Sequence, residues 1–178
     1  MRSFEIIVIS IGLAGLTAMS ANAQCTASGA PANCSQAGSV SMTAGRVVRL
    51  QMSAGSTSLT APTPADFDAG FNSTTGPTLT VSANAAWTLS IRASSAVWTA
   101  TNTTTGVAAR VNKPSGDLKW STSSGGPFTA LTPTDASLVT GSATASSPTT
   151  LYFRTFYDWA LDTPGNYSLS VVLTLTSP

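Results

Sequence analysis

Apolar side chains in this sequence return at every second position, and no run of ten or more residues carries them at the three- and four-residue spacing of a helix. A period of two puts alternate residues on opposite faces of an extended backbone, so the pattern asks for strands. Trp87, Leu89 and Ile91 alternate with Thr88, Ser90 and Arg92, and Val48, Leu50 and Met52 alternate with Arg49 and Gln51. Leu79 and Val81 share a face within residues 78–83, and residues 97–101 and 117–121 are shorter strand candidates. Residues 149–157 (TTLYFRTFY) carry aromatics on both faces, which predicts a central strand or an interface. Tyr167, Leu169, Val171, Leu173 and Leu175 line one face of a final run long enough to cross a whole sandwich. Turn-forming clusters separate these runs: Gly45, residues 72–77 (NSTTGP), Ser115-Gly116, Gly125-Gly126-Pro127, Thr132-Pro133 and Pro164-Gly165. The expectation is an all-β fold over residues 39–178: one immunoglobulin-like antiparallel β-sandwich of about seven to nine strands.

The first residues belong to a different object. Met1-Arg2, an apolar run from Ile6 to about Met19, and Ala21-Asn22-Ala23 form the three regions of a secretory signal peptide over residues 1–23. The run is short for a bilayer span, against the reading as a retained anchor. Gln24 stands where a lipidation motif needs a small residue before Cys25. Residues 24–38 are small and polar and read as an irregular segment. Cys25 and Cys34 are the only cysteines, and in an oxidising compartment they are expected to pair. The mature chain is expected to have no membrane span and to be secreted, periplasmic or at the cell surface.

Composition then narrows the chemistry. Charged residues are 8% of the chain and the net charge is +1, which offers nucleic acid no electrostatic footprint. There is no histidine, and Glu5 of the leader is the only glutamate. Ser-His-Asp and Cys-His nucleophiles and common zinc sites are therefore excluded. No catalytic residue, metal or cofactor is expected. Six aspartates remain, among them Asp162 in the stretch Asp162-Thr163-Pro164-Gly165. An aspartic protease needs two acidic loops that share a proton, and no second copy occurs. Pro followed by Gly suits the centre of a type II turn with positive φ at Gly165, and Asp162 is expected to cap it. On that reading Asp162→Asn costs about 1 kcal/mol or less. The spacing of Asp66 and Asp68 is a weak calcium signal and reads as a polar loop. Of four tryptophans, Trp87 reads as core, whereas Trp120 and Trp159 are candidates for stacking on a ligand's sugar rings. Asn72, Asn102 and Asn166 begin glycosylation sequons of the kind a Ser- and Thr-rich chain produces by chance.

Several segments carry a resemblance. Asp66-Phe67-Asp68-Ala69-Gly70-Phe71 precedes a strand, Arg110-Val111-Asn112-Lys113-Pro114 leads to Asp117-Leu118-Lys119-Trp120-Ser121, and Asp162-Thr163-Pro164-Gly165-Asn166-Tyr167 opens the terminal strand. Over most of residues 60–178 this layout resembles small secreted bacterial β-sandwich proteins of the spore coat protein U and pilin-like type. It is also similar to other secreted bacterial proteins with W-x-L-x-I and D-T-P-G-x-Y-S-L elements. The resemblance implies surface assembly, in some members by completion of an open sheet edge with a partner's strand. A donor strand carries about four or five large apolar residues at alternate positions. Residues 24–44 offer only Val40 and Met42, so a tip, a terminator or a free monomer is implied in place of a self-polymerising subunit.

The function expected is thus that of an exported, non-enzymatic structural or surface-interaction protein, pilus- or coat-like, whose partners are other protein subunits or surface glycans. The alternative is a secreted glycan-binding module that uses Trp120 or Trp159. An enzyme working with aspartates alone is the third reading.

Overall fold

The computed structural model describes residues 25–35 and 38–178, and the expected signal peptide lies outside them. The chain divides into two compact units, residues 1–43 and 44–178. In the first, the described residues form neither helix nor strand, and Cys25 and Cys34 are joined by a disulfide with Cα atoms 5.9 Å apart. Val40 and Met42 are exposed.

The second unit is all-β. Its strands are β1 (Val48–Met52), β2 (Phe71–Ala83), β3 (Trp87–Ala93), β4 (Thr99–Thr101), β5 (Leu118–Ser121), β6 (Thr129–Ala130), β7 (Ala136–Gly141), β8 (Thr144–Phe156), β9 (Asn166–Ser168) and β10 (Val171–Thr176). One sheet runs β1-β2-β8-β5-β6, a second β10-β3-β7, and β4 pairs with β9. All pairings are antiparallel. β8 is central, as its two-faced aromatic pattern predicts.

The period-two faces become the core. Leu79 and Val81 of β2, Leu89 and Ile91 of β3, and Leu151 of β8 are almost fully buried in one cluster with Trp87, Leu118, Trp120 and Phe153. Each such aliphatic side chain contributes about 1.5–3 kcal/mol of burial. Tyr167, Leu169, Val171, Leu173 and Leu175 do share a face, but they are only partly buried against that cluster.

Three local expectations change. Residues 72–77 do not separate strands but lie within β2, where the pairing with β8 shifts register between Thr75 and Thr78. Residues 63–70 are not a polar loop but a short helix, α1 (Pro64–Ala69). Thr63 and Asp66 form a reciprocal capping box, and Gly70 closes the helix at φ 77°. The Thr63 amide and hydroxyl hold the Asp66 carboxyl below its ordinary range.

The terminal run is also not one strand. Ala93 pairs with Val171 and Thr99 with Ser168, so residues 94–98 oppose only residues 169–170. The surplus is drawn inward by Trp98, which is buried and donates from its backbone to Lys113 O at 2.9 Å and from its ring to Pro114 O at 3.1 Å. Only Ser94 N to Ser170 O, at 2.9 Å, spans the break. This division, with the short β6, brings the count to ten strands.

Candidate functional site

Three features lie where the sequence places chemistry or recognition. The first is an open edge. β10 has one neighbour in its sheet and β1 has one in the other. The two edges meet where Arg46 Nη1 reaches Ser177 O at 3.5 Å. Further along they enclose a cavity of about 660 Å³, walled by Met52, Leu151, Phe153, Leu169, Val171 and Leu173. Residues 54–58, Ala-Gly-Ser-Thr-Ser, and Leu59 also line it. The backbone groups on the outer side of β10 have no strand to pair with among the described residues.

The second is a buried knot of charge. Lys113 is only 2% exposed, in the segment Lys113-Pro114 that leads into a 3₁₀ turn at Ser115–Asp117. Its Nζ donates to Asp162 Oδ1 at 2.9 Å, Asp117 Oδ2 at 3.2 Å and Phe156 O at 2.8 Å. All three ammonium protons therefore have acceptors, the condition for burying such a group. Arg110 Nη1 reaches the same Asp162 oxygen at 3.0 Å and Asp117 Oδ2 at 3.5 Å. Asp162 Oδ2 accepts from Asp158 N at 2.9 Å. Burial alone pushes the Asp162 carboxyl up, but the Lys113 and Arg110 donors and the Asp158 amide outweigh it and hold it below the usual carboxylate range. Burial pushes the neighbouring Tyr157 hydroxyl up. Tyr167 Oη locks the same corner, accepting from Arg110 N at 3.0 Å and donating to Thr163 O at 2.6 Å.

Asp162 is thus more than the turn cap expected of it. Its side chain is 6% exposed and is the anionic centre of four charges. Two carboxylates, those of Asp162 and Asp117, converge here on the same two cations. Pro164-Gly165 does not form a turn with positive φ, since Gly165 is absent from the positive-φ glycines. It is glycine for lack of room: a Cβ there would lie 2.6 Å from Ala109 Cβ and 3.1 Å from Thr101 O.

The third is aromatic. Trp159 is 62% exposed, stacked on Phe67 with ring centroids 4.5 Å apart and donating to Asp68 Oδ1 at 3.1 Å. Trp120 is a correction. It is 7% exposed and packs in the core, unable to stack on a ligand. Leu118 two positions earlier was the available signal, since residues at that spacing in a strand share a face. Nothing comparable marked Asp162, whose cationic partners Lys113 and Arg110 lie 49 and 52 positions away in the chain.

Among the described residues no group of three or more His, Cys, Asp or Glu side chains is placed to hold a metal, and no helix is long and apolar enough to cross a membrane. No family model and no curated protein matches the chain.

Proposed function

We propose that this is an exported, non-enzymatic surface-interaction protein that takes up an extended strand of a partner polypeptide along β10. What carries the reading is the pairing of an unpartnered strand edge with a cavity beneath it, whose walls include Leu151, Phe153, Leu169, Val171 and Leu173. An added strand hydrogen-bonds to β10 and sinks alternate side chains between the sheets, which is how sheet edges recognise peptides. The resemblance to coat and pilin-like proteins points to the same mode. The disulfide of Cys25 and Cys34 fits the oxidising compartment that export implies.

The test is a synthetic extended peptide with about five alternating Val or Leu residues, and a scrambled version with the apolar residues in adjacent pairs. Binding is read by fluorescence anisotropy and by the rise in Tm, which follows ligand saturation as about 2.7 kcal/mol at a hundredfold excess over Kd. The alternating peptide is expected to bind, and Leu173→Asp to abolish binding. No binding, or equal binding of the scrambled peptide, overturns the proposal.

A second reading has its own observation. Trp159 presents an exposed indole braced by Phe67 and tied to Asp68, a platform suited to the face of a sugar. Retention on neutral glycan beads that is lost in Trp159→Ala supports it, and unchanged retention rejects it.

A further inference from the structure

The outer face of the five-stranded sheet holds a second platform, built from cations. Lys119 of β5 and Arg154 of β8 are directly opposite one another in register. Two like charges in that position repel, and a chain with so few charges has little need to place them there. Arg154 lies between two rings, 4.2 Å from the centre of Phe71 and 4.1 Å from that of Phe128, and its Nε donates to Ser73 Oγ at 3.3 Å. The Lys119 ammonium lies 4.2 Å over Phe156, itself paired in register with Phe71. The rings hold both cations in place but leave their charge unneutralised.

The aspartates are all committed elsewhere. Asp117 and Asp162 serve the buried knot, and Asp135 pairs with Arg92. Asp66 caps α1, Asp68 accepts from Trp159, and Asp158 accepts the amides of Ala160 and Leu161. Among the described residues neither Lys119 nor Arg154 has a carboxylate partner. Arg46 and Arg49 lack one too, but among the described residues neither lies over an aromatic ring as Lys119 and Arg154 do.

We infer that this face binds an acidic polysaccharide, with Lys119 and Arg154 pairing to sugar carboxylates and the half-buried rings of Phe71, Phe128 and Phe156 packing on the sugar C–H faces. The ring-clamped guanidinium holds its fork flat, the shape that takes a carboxylate through two parallel hydrogen bonds. Two cations on adjacent strands suit a polymer that repeats its carboxylate. The site is separate from the β10 edge and from Trp159, so it stands or falls independently of both readings above.

The test uses the intact protein with oligomeric polygalacturonate, its fully methyl-esterified counterpart, and anionic phosphatidylglycerol vesicles, in titration calorimetry and sedimentation. Polygalacturonate is expected to bind, to weaken with added salt, and to weaken at least tenfold in Lys119→Gln and in Arg154→Gln. Arg154→Lys is expected to fall between wild type and Arg154→Gln, because it keeps the charge and loses the fork. The ester is expected not to bind; this comparison uses wild-type protein and is immune to any folding defect of the variants. Absence of binding to polygalacturonate, undiminished binding in Lys119→Gln or Arg154→Gln, or equal binding of the ester or the vesicles overturns the inference.

Discussion

Lys113 and Lys119 stand six positions apart in the sequence and end in opposite circumstances. Lys113 is sealed in with two carboxylates and a carbonyl on its ammonium, and Arg110 shares both carboxylates. Lys119 lies on a sheet face against a phenylalanine ring, opposite a second cation that is also held by rings. The difference follows from solvation. A buried ammonium must have every proton accepted and its charge matched, whereas a half-exposed one keeps its water and needs only a surface to lie on. The first arrangement serves the fold, because it ties the loop before β5 to the loop between β8 and β9. The second leaves charge available to something outside the molecule.

Removing one member of each set is the most direct way to break this comparison. Asp162→Ala leaves two cations facing one partly exposed carboxylate, and loss of a partner from a buried ion pair costs about 3–5 kcal/mol. Urea unfolding is expected to show that drop, far above the 1 kcal/mol or less that a simple turn cap implies. A loss under about 1 kcal/mol would return Asp162 to the role of a turn residue.

Gly165→Ala attacks the same corner through packing. Its Cβ would press on Ala109, next to Arg110, and on Thr101 O. Overpacking of this kind costs about 1–3 kcal/mol, with no contribution from backbone strain because φ there is not positive.

Acid separates charge from shape. The Asp162 carboxyl is held below its ordinary value of 3.8, so its contribution is fully present above that value and is lost as the pH falls through the depressed one. The Tm difference between wild type and Asp162→Asn is therefore expected to be largest near neutrality and to narrow below about pH 4. A constant difference down to pH 2 would mean that Asp162 acts through hydrogen-bond geometry alone.

The smallest effect is expected on the open face. Arg154→Gln removes two ring contacts and relieves repulsion with Lys119, so stability is expected to change by about 1 kcal/mol or less in urea unfolding. A loss comparable to that of Asp162→Ala would show that the surface cations, too, are there to hold the fold.

Much of the fold was legible because strand faces are a local property. Trp87, Leu89 and Ile91 face inward as their alternation predicts, and β8 is central as its aromatic pattern predicts. The last run was legible as a face but not as a length. Its break at residues 169–170 is imposed by Trp98, which lies between β3 and β4 and is buried with its ring donating to Pro114 O. The two candidate tryptophans divide the same way. Trp120 carried a readable signal in Leu118, while the exposure of Trp159 depends on a loop braced by Phe67 from a helix that six residues and a capping box suffice to form.

By itself the sequence determined that the chain builds sheets, which faces turn inward, and that no histidine is present, because these follow from residue type and a period of two. Only the tertiary structure decided which charges are matched. Asp162 meets Arg110 and Lys113 from about 50 positions away, and Lys119 meets Arg154 across two strands, through pairings that no local pattern encodes. It also decided that β10 remains an edge, since whether a strand has a second neighbour depends on every other strand's choice of partner.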